Sequence, residues 1–235
     1  MRFFAQTHRG LKRPTNQDRF LLRDLPGGRV LAAVADGMGG TAGGEVAAQM
    51  TVDLLAGSMD SPAEDHQALG EVFAAICRRV HERAQAEPSL EGMGTTLTAV
   101  LAGPERVDWA HVGDSRLYRR LEGRLFQVTR DHTAAAFMVE EGMIGSEEAA
   151  RHPARHMLFD CMGCGECEPD TGSFRPEPGE LLLLASDGLY GMVNDLDLNR
   201  VLDSGKELPA LVHDLVALAL EASGHDNITV VLVRV

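Results

Sequence analysis

Apolar residues fall into short, compact runs along this chain, separated by Gly, Pro and Asp. Residues 3–7 and 19–22 read as strands. Residues 29–35 form an apolar run of strand length that ends in Asp36-Gly37-Met38-Gly39-Gly40, so a buried strand enters a tight loop. Residues 45–56 and 68–86 have helical spacing. Runs at 95–101, 107–112, 116–120 and 125–129 then read as successive strands, with Gly123 in a hairpin-like turn. Short helices are predicted at 133–141 and 146–151, a strand at 180–186, an amphipathic helix at 207–222 and a closing strand at 227–235. Consecutive strands beside segregated helices predict an α+β architecture, with sheet packed on sheet and helices outside. There is no internal repeat, low-complexity tract or long linker, so residues 1–235 are expected to form one domain.

Composition narrows the function classes. The chain has 235 residues, 44% hydrophobic and 24% charged, which is ordinary for a globular protein that needs no disulfide or metal staple. Its formal net charge is −13. So acidic a surface repels phosphate backbones and anionic membranes, and only 5% of residues are aromatic, so neither nucleic acid nor membrane is an expected partner. The balance does suit carboxylates that hold divalent cations. The first residues lack the apolar core of a signal peptide, and the best apolar run, 211–220, is broken by His213 and Asp214. A cytoplasmic location is therefore expected.

One feature recurs: strands meet acids. It is seen in Val34-Ala35-Asp36-Gly37, His111-Val112-Gly113-Asp114, Ala185-Ser186-Asp187-Gly188, His225-Asp226-Asn227 and Asn16-Gln17-Asp18. Taken singly, each Asp suits a turn or a helix cap. Gathered at one place, they would repel each other and resist ionising unless a cation neutralised them. Hard ions such as Mg²⁺ and Mn²⁺ take such oxygen ligands, and a glycine beside an acid lets a main-chain carbonyl approach closely.

These residues, in this order, resemble the metal-dependent protein phosphatase family of the phosphatase 2C type, most closely its compact bacterial branch. The shared blocks are Gly10-Leu11-Lys12-Arg13-Pro14-Thr15-Asn16-Gln17-Asp18, Val34-Ala35-Asp36-Gly37-Met38-Gly39-Gly40, Met93-Gly94-Thr95-Thr96-Leu97 and His111-Val112-Gly113-Asp114-Ser115-Arg116. Thr129-Arg130-Asp131-His132, Ala185-Ser186-Asp187-Gly188 and Asp226-Asn227-Ile228-Thr229 continue the series. The resemblance implies a four-layer α-β-β-α sandwich, two mainly antiparallel sheets flanked by helices, with a flap at about residues 131–170. It implies two Mn²⁺ or Mg²⁺ ions, with a possible third. By position, Asp36 would bridge both ions and Gly37 would offer its carbonyl. Asp187 and Asp226 would hold one ion, Asp18 would act through bound water, and Asp114 with Asp187 would bind a third. Arg13 would grip the substrate phosphate. The implied reaction is hydrolysis of phosphoserine or phosphothreonine in proteins by a metal-bridging hydroxide, with Asp36, Asp187 and Asp226 catalytic. The implied partners are phosphorylated proteins and a Ser/Thr kinase whose work it reverses.

The chain departs from that pattern in places. Gln17 stands where many relatives have Glu; as a metal ligand it would offer its side-chain carbonyl, with one negative charge fewer. Thr41 and Met38 stand where relatives carry histidines. These changes leave a second reading open, a phosphoprotein-binding module without turnover. The flap also holds Cys161-Met162-Gly163-Cys164-Gly165-Glu166-Cys167. Cysteines at this spacing can ligate Zn²⁺ or an iron–sulfur cluster, with His152 or His156 as the nearby fourth ligand, or form a reversible disulfide. The plainest reading is small residues in a glycine-rich turn, with Cys77 a core residue of a helix.

Overall fold

The computed structural model describes residues 1–38, 40–59 and 66–235, with the backbone alone at 40–42 and 66. The first strands are β1 (Arg2–His8), β2 (Arg19–Leu25), β3 (Arg29–Ala35) and the two-residue β4 (Gly37–Met38). Helices α1 (Gly40–Ser58) and α2 (His66–Ala86) follow. Next come β5 (Gly94–Thr95), β6 (Leu97–Ala102), β7 (Val107–Val112), β8 (Arg116–Leu121) and β9 (Arg124–Gln127). Then come α3 (Ala134–Glu140), α4 (Ser146–Ala149), β10 (Asp170–Phe174) and β11 (Leu181–Ala185). The chain closes with α5 (Asp187–Tyr190), α6 (Asp195–Leu202), α7 (Leu208–Ala222) and β12 (Ile228–Arg234).

Two five-stranded antiparallel sheets form, ordered β1-β12-β11-β8-β9 and β10-β7-β6-β3-β2, with β4-β5 as a small third pair. The expected α+β sandwich is therefore present. Its layering follows from the pleat, which sends alternate side chains to opposite faces. In β3, Ala32 and Val34 face the other sheet, while Leu31, Ala33 and Ala35 join the core under α1 and α2. In β11 and β12, Leu182, Leu184, Val231 and Val233 fill the inter-sheet layer. Leu181, Leu183, Val230 and Leu232 pack on the other side with Leu211, Leu215 and Val216 of α7. Strands buried on both faces must be apolar throughout, which is why these read as unbroken runs.

The sequence reading missed β10, α5 and α6. β10 reads Asp-Thr-Gly-Ser-Phe and has no apolar alternation. It pairs with β7, and Gly172 is required there, since a Cβ would come within 2.7 Å of the Trp109 ring. Helix α1 begins at Gly40, ahead of the expected residue 45. Gly39 and the side chain of Thr41 lie outside the described residues.

Strand register sets the site. β2 and β3 pair Arg19 with Ala35, so Asp18 and Asp36 leave adjacent strand ends together. β11 pairs Ala185 with Val230 of β12 and with Arg116 of β8, so Asp187, Asp226 and Asp114 emerge at neighbouring ends.

Candidate metal centre

Asp36, Asp114, Asp187 and Asp226 line one cleft of about 600 Å³, with Arg13, Gln17, Gly37 and His156 around them. The structure thus brings together the residues that the sequence placed far apart. Asp18, 0% exposed, is not part of the lining but lies close enough for its charge to act on Asp36, Asp187 and Asp226.

The Asp36 loop is held by the start of the neighbouring strand. Thr95 Oγ1 donates to the Asp36 carbonyl at 2.8 Å, as does the Thr96 amide at 2.9 Å, and the Asp36 amide donates to Thr96 Oγ1 at 2.9 Å. Gly37 has no room for a side chain: a Cβ would strike the Gly44 carbonyl and lie 2.7 Å from that of Gln17. Asn227 ties the remaining segments together. Its Nδ2 donates to the Arg9 and Thr15 carbonyls at 2.8 and 2.9 Å, and its Oδ1 accepts the Gln17 amide at 2.8 Å. Arg13, at the rim, donates to Asp226 at 2.6 Å.

Asp18 Oδ2 accepts hydrogen bonds from Ser186 and Thr229, each at 2.7 Å, whereas its buried Oδ1 has no partner among the described residues. An unpaired buried carboxylate oxygen is costly unless a ligand reaches it. Burial lifts Asp18 to about 6 despite the two hydroxyl bonds. Burial, then the charges of Asp18, Asp187 and Asp114, pushes Asp36 well above the usual carboxylate range. Asp114 and Asp187 move the same way, by burial and then by Asp187 and Asp226 respectively. Carboxylates this close resist ionising together, and a bound dication removes that conflict. The cluster of carboxylate oxygens therefore fits hard divalent ions.

The sequence reading missed several contributors. Ser186 and Thr229 orient Asp18, yet they read simply as strand residues beside acids. His156 belongs to this cleft: its Nδ1 is 3.6 Å from Asp187 Oδ2, and ligand atoms of Asp114, His156 and Asp187 lie within 4.8 Å of one another. It is therefore not the fourth partner of the cysteines. His152 is not that partner either, since it caps a turn by accepting the Ala154 amide at 3.2 Å. Arg116 forms a two-bond ion pair with Asp131 at 2.8 and 2.6 Å and lies 3.8 Å over the Tyr190 ring. His132 is a buried structural histidine, 3.2 Å from Asp170.

The sequence profile of the family described as Protein phosphatase 2C matches residues 6–220, and the chain belongs to that family. It is 38% identical over its whole length to the serine/threonine protein phosphatase PstP of Mycobacterium tuberculosis, of which it spans 45%. It is 34% identical to a putative protein phosphatase 2C-type of Streptococcus pyogenes, covering 100% of this chain and 97% of that one. The fold superposes with a TM-score of 0.86 on the PstP catalytic domain solved with two manganese ions, at 38% identity over 98% of this chain and 96% of that one.

Proposed function

We propose that residues 1–235 are a single catalytic domain, a metal-dependent serine/threonine protein phosphatase that opposes a Ser/Thr protein kinase. The observation that carries this reading is the convergence of Asp36, Asp114, Asp187 and Asp226 on one cleft, with the buried Asp18 acting on Asp36 and with Arg13 in the lining. The Mn²⁺ pair in the PstP structure supports it.

In this reading Asp36 would be shared by two Mn²⁺ or Mg²⁺ ions, Gly37 would offer its carbonyl, and Asp187 and Asp226 would complete the set. Asp18 would act through bound water from its unpartnered Oδ1, and Asp114 with Asp187 would hold a third ion, to which His156 would add a nitrogen. Such ions supply an activated water and neutralise charge on the transferring phosphoryl group. The chain's own residues do the rest. Arg13 binds phosphate oxygens through its planar fork and orients the phosphorus for in-line attack. The Thr95 and Thr96 bonds keep Asp36 in place through turnover, and residues 131–170 border the cleft as a flap.

Kinetics on a phosphothreonine peptide test the assignment. Asp187→Asn should abolish turnover while leaving the fold intact, and Arg13→Ala should mainly raise KM. Near-wild-type turnover by Asp187→Asn would refute the site.

A further inference from the structure

All four cysteines of the chain meet in one place, although Cys77 is 84 residues from Cys161. Cys161 and Cys164 are joined by a disulfide. Cys77, buried in α2, lies against them, with its Sγ 3.6 Å from the Cys161 carbonyl and 3.3 Å from that of Gly165. The thiols of Cys77 and Cys167 interact. That contact holds Cys77 down at about 7 and pushes Cys167 up. The loop turns sharply through Gly163 and Gly165, both at positive φ, and His81 Nδ1 lies 3.1 Å from the Gly163 carbonyl.

The position of this loop gives it a role. Met162 pairs with Thr95 through two backbone bonds of 3.0 and 2.8 Å, so the cysteine loop extends the β4-β5 pair on its far side. Thr95 is the residue that holds the Asp36 carbonyl and pairs with Gly37. The Cys161 sulfur leans on the same strand: a Cβ on Gly94 would come within 3.3 Å of it. One strand therefore separates the disulfide from the residues proposed to hold metal.

A cross-link over a sequence separation of 3 restricts the unfolded chain little, since that stabilisation grows with loop length. This argues against a simple staple. The two sulfurs also differ in access, with Cys161 0% exposed and Cys164 exposed. We propose that Cys161–Cys164 is a reversible dithiol/disulfide site whose state sets the metal affinity of the neighbouring centre. The second half rests on the phosphatase reading; the first does not.

The chemistry balances with a small dithiol as reductant. Its thiolate attacks the accessible Cys164 sulfur and the S–S bond breaks. The electron pair leaves on Cys161, which takes a proton. The second thiol of the reductant then displaces Cys164 and is released as a cyclic disulfide. Reduction unties the exposed Cys164 arm, loosens the Met162–Thr95 pairing and lowers the affinity for Mn²⁺. A small disulfide such as oxidised glutathione reverses it.

The test counts thiols and measures Mn²⁺ binding by calorimetry in parallel. Denatured protein that has been treated with oxidised glutathione should alkylate at Cys77 and Cys167 only, and after dithiothreitol at Cys161 and Cys164 as well. The Mn²⁺ dissociation constant should rise several-fold on reduction. Cys164→Ser, at an exposed position, should show the reduced value under both conditions, whereas Cys167→Ser should respond like the wild type. Cys161 and Cys164 remaining free after oxidation, one zinc per chain blocking the thiols, or equal Mn²⁺ affinity in both states would overturn the proposal. If Mn²⁺ binds in neither state, the metal-centre reading falls and the coupling with it, while the alkylation pattern still decides the disulfide.

Discussion

The Ser186 hydroxyl donates to Asp18 Oδ2 at 2.7 Å across 168 residues of sequence. Thr229 donates to the same oxygen from β12, and a chain of hydrogen bonds supports it: the Asn16 amide Nδ2 donates to Thr7 Oγ1 at 2.8 Å, which in turn meets Thr229 Oγ1 at 2.8 Å. Among the described residues both side-chain donors go to Oδ2, and Oδ1 is left open for a ligand. A carboxylate fixed in this way is oriented before any ligand arrives.

That arrangement makes Ser186 measurable. Partners that orient a ligating group typically carry about 10–100-fold in metal affinity. Ser186→Ala should lower Mn²⁺ affinity by about that factor, as read by calorimetry, with little change in circular dichroism. Unchanged affinity would mean that Oδ1 takes no part in binding.

Gly37 gives a steric prediction. Its missing Cβ is occupied space, filled by the Gly44 and Gln17 backbones rather than by a flexible side chain. Gly37→Ala should cost about 1–3 kcal/mol of stability through forced backbone shifts, and should reduce turnover further by displacing Asp36. Thermal melts and kinetics on the same preparation separate the two effects.

The sequence showed the strands that carry the core, because residues apolar on both faces leave an unmistakable run. It showed Asp36, Asp187 and Asp226 because each follows or precedes such a run. What it hid has physical reasons. β10 is held by pairing and by the Trp109 ring over Gly172, not by its own hydrophobicity. Ser186 and Thr229 earn their place through a neighbour that is distant in sequence. His156 lies in the cleft and Cys77 beside the cysteine loop only because residues 131–170 fold back over the sheet ends, which no local spacing encodes.

The carboxylates also predict a pH dependence. Asp18 is raised from 3.8 to about 6 in the folded chain. A group raised by folding stabilises fully below its unfolded value, and that contribution is lost as pH rises through the folded one. Asp36 and Asp114 are raised in the same direction, so the carboxylates titrate together and their protonated forms favour the metal-free fold at low pH. The rise in melting temperature on adding Mn²⁺ to chelator-treated protein should grow steadily from pH 4 to pH 6. The growth should be smaller in Asp36→Asn, which removes one of the competing charges.

The central claim is that Asp36 is the shared ligand of a divalent-metal phosphatase centre. The most direct test is phosphate release from a phosphothreonine peptide as Mn²⁺ is titrated, wild type beside Asp36→Asn. The account predicts release that rises with Mn²⁺, stops on adding chelator, and falls by about 100-fold or more in the variant. Release that ignores the chelator, or an Asp36→Asn enzyme working at the wild-type rate, would contradict it.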